Sequence, residues 1–249
     1  MIELIDVCKS FNGVPVLKNI SMQIRTGETF VIIGLSGTGK TVTLRNISGL
    51  EEPDSGDVLI DGVKMNGASA KVKKQLRANM GMVFQSGALL NWLSIYDNVA
   101  LPLRENIRMK ESAIRELVES RLKILGLQHA ANKMPSEVSG GMKKRACLAR
   151  VLVRNPKIIL YDEPTSGLDP VMSSNINVLV KQMHDEFDVT SIVVTHDMSS
   201  AYYIADRIAL LYKGEVVACG SPDEIRGSDN PIVRQFIHGS LDGPISVDN

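Results

Sequence analysis

The feature that most constrains this sequence is Gly34-Leu35-Ser36-Gly37-Thr38-Gly39-Lys40-Thr41, which fits the pattern GxxxxGK[ST]. It follows the short apolar run Phe30-Val31-Ile32-Ile33 and precedes a helical run from Val42 to Leu50. A buried strand, a glycine loop and a helix start, in that order, make an anion site. The glycines let backbone N–H groups converge on phosphate oxygens, and the helix adds its unpaired N–H groups and positive dipole end. In such a loop Lys40 holds the outer phosphates of a nucleotide and Thr41 a Mg²⁺ ion.

The remaining chain places this loop in an α/β fold. Ile158-Ile159-Leu160-Tyr161 and Ser191-Ile192-Val193-Val194 repeat the pattern of a short apolar run followed by a polar loop. Such runs predict parallel strands buried on both faces, with ligands at their C-terminal ends. Alternation at Ile2, Leu4 and Val7 and again from Val16 to Ile24 predicts antiparallel strands, and Asp61-Gly62 and Lys213-Gly214 predict tight hairpin turns. The expected sheet is therefore mixed, a parallel core flanked by antiparallel hairpins. Between Ser86 and Asn155 no comparable strand is visible, whereas Ile114, Leu117, Val118, Leu122 and Leu125 recur at helical spacing. One domain is expected over the 249 residues. Its parts are a core at 1–85 and 156–238, an inserted helical lobe at 86–155, and an unpacked polar tail at 239–249.

Composition narrows the function. Lys and Arg total 28, as do Asp and Glu, so no net charge favours nucleic acid or an anionic membrane. The 3 cysteines are widely spaced, which argues for a reducing compartment rather than a disulfide framework. No run approaches the roughly 18 apolar residues of a membrane span, and MIELIDVCKS lacks the basic-then-apolar layout of a signal peptide.

A second set of residues completes the candidate site. Asp162 and Glu163 end the run Ile158 to Tyr161. In that position Asp162 is suited to hold Mg²⁺ and Glu163 to polarise the water that attacks a terminal phosphate. Ser139-Gly140-Gly141-Met142-Lys143-Lys144-Arg145 opens a helical stretch, Ser166-Gly167-Leu168-Asp169 follows the acidic pair, Gln85 follows Met80 to Phe84, and His196 follows Thr190 to Thr195. Taken in order with the glycine loop, these segments resemble the ATP-binding cassette family over nearly the whole chain.

The resemblance implies a P-loop NTPase fold of that type, ATP and Mg²⁺ as cofactors, ATP hydrolysis, and a head-to-tail homodimer. In that dimer each ATP lies between one subunit's P-loop and the other subunit's signature, Ser139, Gly140 and Gly141. The nucleotide contacts carried over are Gly34, Ser36, Gly37, Thr38, Gly39, Lys40, Thr41 and Val42, with Gln85 in the Q-loop position, where it joins the Mg²⁺ shell. Asp169 belongs to the D-loop, and His196 is the switch histidine beside the terminal phosphate. Phe11 occupies the position of an adenine-stacking ring or of a core residue. The family signature usually reads LSGGQ; here Val138 and Met142 stand at its outer positions.

Phe84 to Leu90, Tyr96 to Glu105 and Gly141 to Ala146 further resemble the branch of that family that energises Mla phospholipid transport. That implies an ATPase peripheral on the cytoplasmic side of an inner membrane, held by an integral permease, with an MCE-domain lipid-binding partner and room for a small regulatory subunit. Ala88, Leu89, Leu90 and Trp92 form either a docking surface or lobe core. The segment Phe236 to Pro244 resembles the C-terminal extension of the branch, expected to dock on the other ATPase subunit. Alternatives are a transporter for another cargo and a soluble cassette ATPase acting on nucleic acid. The latter usually carries coiled-coil insertions or zinc-binding cysteines, neither of which is present in the sequence. A clamp that binds ATP without turnover would lack Glu163.

Overall fold

The alternation that opens the chain folds as an antiparallel hairpin, β1 (Ile2–Phe11) and β2 (Val14–Ile24), in a computed structural model that describes residues 1–246. Asn12 and Gly13 join the strands with φ of 51° and 79°, the paired positive values that let a two-residue turn follow strand twist. Next come β3 (Thr29–Ile33) and α1 (Lys40–Ile47), then a second hairpin of β4 (Ser55–Ile60) and β5 (Val63–Lys64) turning at Asp61-Gly62. Helix α2 (Ala70–Ala78), capped by Ser69, leads into β6 (Met80–Val83). None of the α2 residues is fully buried; its apolar face is only half-buried Val72 and Leu76, too short a stripe to announce the helix in the sequence.

Helices α3 (Ile95–Asn106), α4 (Glu111–Ile124) and α5 (Gly140–Leu152) occupy the stretch before β7 (Ile158–Asp162). They share one apolar cluster, into which α4 turns Ile114, Val118 and Leu122. The chain then alternates through α6 (Pro170–Phe187), β8 (Thr190–Thr195), α7 (Met198–Ile204) and β9 (Arg207–Tyr212). Strand β10 (Glu215–Gly220) returns through Lys213-Gly214, and α8 (Pro222–Arg226) and α9 (Pro231–His238) follow.

The strands form two sheets. One is antiparallel, in the order β2-β1-β4-β5; the other runs β10-β9-β3-β8-β7-β6, with β9 to β6 parallel and β10 antiparallel at the edge. Every residue of β3, β7 and β8 is buried, as expected of strands covered on both faces. Strand period divides them cleanly. Phe30, Ile32, Leu160, Ile192 and Val194 pack with the antiparallel sheet and α1, while Val31, Ile33, Ile159, Tyr161 and Val193 pack with the helices. The parallel sheet is thus a shared wall between two apolar layers, and its strand ends present the loops of the site.

The polar C-terminal segment departs from the expected unpacked tail. Residues up to Ile245 fold back onto α9, where Gln235 Nε2 donates to the carbonyls of Ser240 (3.2 Å) and Ile245 (3.0 Å), and Gln235 Oε1 accepts from Ile245 N (2.6 Å). Ile245 is 6% exposed. A single buried amide supplies these backbone partners, which helps a stretch with only one buried apolar residue, Ile245, to pack. Residues 247 to 249 of the expected tail lie outside the described residues. Among the described residues no helix is long and apolar enough to cross a membrane.

Candidate functional site

The loop from Gly34 to Gly39 is held at the end of β3 by contacts that exclude side chains. Gly34 has φ 155°, and a Cβ there would stand 2.3 Å from the Leu211 carbonyl oxygen. Gly39, at φ 101°, forms the N-cap of α1 without a side-chain hydrogen bond, so no side chain caps the first N–H groups of that helix. Gly34→Ala is expected to destabilise the chain by about 2 kcal/mol or more, because β9 backbone has to move to admit the methyl group. Urea unfolding followed by circular dichroism measures the change.

Lys40 is 6% exposed, and its Nζ donates to the carbonyls of Gly34 (2.8 Å) and Leu35 (2.9 Å), with Glu163 Oε1 at 3.8 Å. Burial lowers its pKa below the ordinary lysine range, opposed by the charges of Glu163 and Asp162. Thr41 Oγ1 donates to Asp162 Oδ1 at 2.8 Å, and burial raises the Asp162 pKa against that hydrogen bond. Two strands away from β3 in the sheet, β7 thus delivers its terminal carboxylate to the start of α1.

Glu163 follows with φ 47°, a left-handed backbone that costs a non-glycine residue on the order of 1 kcal/mol or more. Its N–H donates to the Val194 carbonyl (3.0 Å) and its own carbonyl accepts from Ser166 N (3.2 Å), which holds the strained turn. Its side chain faces His196, whose Nδ1 stands 2.9 Å from Glu163 Oε2. That pair is out of line for a hydrogen bond, and the buried Oε2 has no hydrogen-bond donor among the described residues. A buried carboxylate oxygen without a donor is a place for a water or ligand proton.

These groups converge on one cavity of about 320 Å³. Ser36, Gly37, Gly39, Lys40, Thr41 and Val42 line it from the loop and α1, Gln85 from the end of β6, and Glu163 and His196 from the ends of β7 and β8. Val16 of β2 also lines it; in the sequence it is one more apolar residue of an alternating strand, with no signal of its own. Gly34 and Thr38 lie in the same loop, where Thr38 Oγ1 donates to the Leu35 carbonyl at 2.9 Å.

Other candidate residues stand elsewhere. Phe11 is 41% exposed at the β1–β2 turn, with Lys9 Nζ 5.3 Å from its ring centre, and does not line the cavity. Ser139 caps α5 by accepting from Met142 N (3.3 Å). Gly140 and Gly141 approach Leu168 and Met172, so the signature abuts the start of α6 and the residues just before it rather than the cavity. Asp169 caps α6, accepting from Val171 N and Met172 N at 3.0 Å. Leu89 packs on the lobe cluster, whereas Trp92 is 72% exposed.

The donor set suits Mg²⁺. Thr41 Oγ1 gives its proton to Asp162, leaving oxygen lone pairs for a hard cation, and Asp162 supplies the charge. No cluster of three or more His, Cys, Asp or Glu side chains occurs among the described residues.

A family profile described as "ABC transporter" matches residues 17–166. The chain is 42% identical over 246 residues to the probable ribonucleotide transport ATP-binding protein mkl of Mycobacterium leprae, covering 99% of this chain and 71% of that protein. It is 38% identical over 245 residues to the intermembrane phospholipid transport system ATP-binding protein MlaF of Escherichia coli K12, covering 98% and 91%. Among solved structures, the dimeric post-hydrolysis state of the ATP-binding cassette MJ0796 bound to ADP and Pi aligns with TM-score 0.82 and 35% identity, covering 89% of this chain and 99% of that one.

Proposed function

Since the chain belongs to the ABC transporter family, as an ATP-binding subunit that hydrolyses ATP, we propose that its turnover drives phospholipid transport between inner and outer membranes. In this reading an integral permease anchors the subunit peripherally on the cytoplasmic face of the inner membrane, an MCE-domain partner carries the lipid, and a small regulatory subunit completes the complex. ABC ATPase domains work as dimers with membrane permeases, and here the dimer is of two copies of this chain. The similarity to MlaF over 98% of the chain carries the choice of cargo.

The roles follow from the cavity. Loop N–H groups and α1 take the triphosphate, and Lys40 turns one of its three N–H donors from a carbonyl to the β/γ-phosphates. Thr41, Asp162 and Gln85 hold Mg²⁺, which when bound neutralises phosphate charge. Glu163 Oε2, which lacks a donor, accepts a hydrogen bond from the attacking water, and His196 contacts the terminal phosphate. The signature of the second copy supplies the remaining donors; that Ser139, Gly140 and Gly141 do not line the cavity of their own chain supports that arrangement. Residues 1–85 and 156–238 act as the nucleotide core and 86–155 as the lobe that meets the permease, with exposed Trp92 as a docking group.

The name of the mycobacterial relative favours a second cargo, a ribonucleotide. Purification from membranes with a tagged subunit, followed by mass spectrometry of proteins and lipids, separates the two. Recovery of a permease, an MCE-domain protein and bound phospholipid is expected. A permease recovered without MCE partner or lipid, with turnover stimulated by ribonucleotide, would overturn the phospholipid reading.

A further inference from the structure

Helix α5 buries a charge among apolar groups. Gly141, Lys144, Cys147, Leu148 and Val151 all face inward, and Lys144 is 8% exposed. A buried ammonium is costly unless its protons are used. Those of Lys144 are used on backbone: Nζ donates to the Gln85 carbonyl at 2.5 Å and to the Glu163 carbonyl at 3.4 Å.

The same face of α5 continues the grip. One turn on, Cys147 Sγ donates to the Gly87 carbonyl at 2.7 Å. After another turn Arg150 donates to Ala88 O at 2.6 Å and to Gly87 O at 3.0 Å. Residues three apart share a helix face, so these side chains form a comb whose teeth hold the carbonyls of Gln85, Gly87 and Ala88 in the segment after β6. That segment is constrained in return: Ala88 has φ 48°, and a Cβ on Gly87 would stand 2.9 Å from Cys147 Sγ. Of the comb residues, Lys144 alone also reaches the turn that carries Glu163.

We propose that Lys144 is a positioning residue for hydrolysis, fixing the backbones of Gln85 and Glu163 to the helix that carries the signature. The backbones that carry both side chains, at the ends of β6 and β7, are thereby pinned to the start of α5. The metal-shell glutamine, the water-activating carboxylate and the signature thus keep one mutual geometry. The inference rests on the assignment of Glu163 to the attacking water.

Lys144→Met keeps the length of the side chain and removes its donors. Because the ammonium donates only to backbone carbonyls and the residue does not line the cavity, ATP affinity is expected to stay within about 2-fold of wild type, while kcat falls about 10- to 100-fold through misplaced reacting groups. Lys144→Arg, whose fork donates to two carbonyls, restores kcat to within about 5-fold. A Met variant with near-normal kcat, a loss shared equally between kcat and ATP affinity, or an Arg variant as impaired as Met would each overturn the proposal. Should the Met variant not fold, Lys144→Gln decides. Its amide spans one carbonyl but not both, so full turnover in it overturns the proposal, and reduced kcat at unchanged ATP affinity supports it. Glu163→Gln run alongside reads the catalytic assignment separately: if it is inactive while Lys144→Met is normal, only the positioning role falls.

Discussion

Lys40→Ala is expected to abolish measurable ATP binding, raising Kd by at least about 100-fold. The side chain is a buried, desolvated ammonium within the loop, with Nζ on the Gly34 and Leu35 carbonyls. Removing it deletes charge-assisted hydrogen bonds of about 1.5–3 kcal/mol and leaves Asp162 and Glu163 unbalanced beside an incoming polyanion. Leaving a buried charge without its partner costs a further few kcal/mol, and 2.7 kcal/mol is already about 100-fold. Isothermal titration with ATP measures it. A Kd within tenfold of wild type would mean that the loop N–H groups carry the nucleotide without the lysine.

Glu163→Gln is expected to separate binding from chemistry. The amide keeps the shape and the left-handed backbone of Glu163 but replaces an acceptor of the water proton with a group that cannot take it. General-base contributions of about 10²- to 10⁴-fold set the expected loss in kcat. ATP affinity should persist, since the Glu163 charge opposes the triphosphate and its removal is favourable to binding. With hydrolysis blocked, an ATP-bound dimer accumulates, visible as a shift to twice the monomer mass in light scattering. Phosphate release near the wild-type rate would transfer the role of base to another group.

How much of this was legible in the residues depends on the kind of signal each part carries. The buried strands β3, β7 and β8 are continuous apolar runs, and the Asp61-Gly62 and Lys213-Gly214 turns carry paired positive φ that few other dipeptides adopt readily. Both are local chemistry and need no partner. Helix α2 has only Val72 and Leu76 as an apolar face, too little to be read as a helix. The C-terminal fold-back is held by polar side chains gripping backbone far along the chain, Gln235 on Ile245 and the Tyr212 hydroxyl on the Pro244 carbonyl, which leaves no periodic trace. Lys144 was readable in principle, as a charge on the buried stripe of α5, but its carbonyl partners are known only once the strand ends are placed. Motif order likewise could not tell that Gly140 and Gly141 sit against Leu168 and Met172. Phe11, open between core and ligand contact in the sequence, is 41% exposed and so lies outside the core.

The order of strands in the parallel sheet has a consequence for how the chain is born. Strand β3, which carries the phosphate loop, lies near the N-terminus, yet it pairs on one side with β8 and on the other with β9, both among the last strands synthesised. Pairing of such distant segments is slow, and a ribosome releases them last. Until Tyr212 has emerged, the Leu211 carbonyl that shapes the loop at Gly34 has not arrived. A growing chain therefore has no finished nucleotide site, and cellular ATP can stabilise only molecules whose fold is already complete.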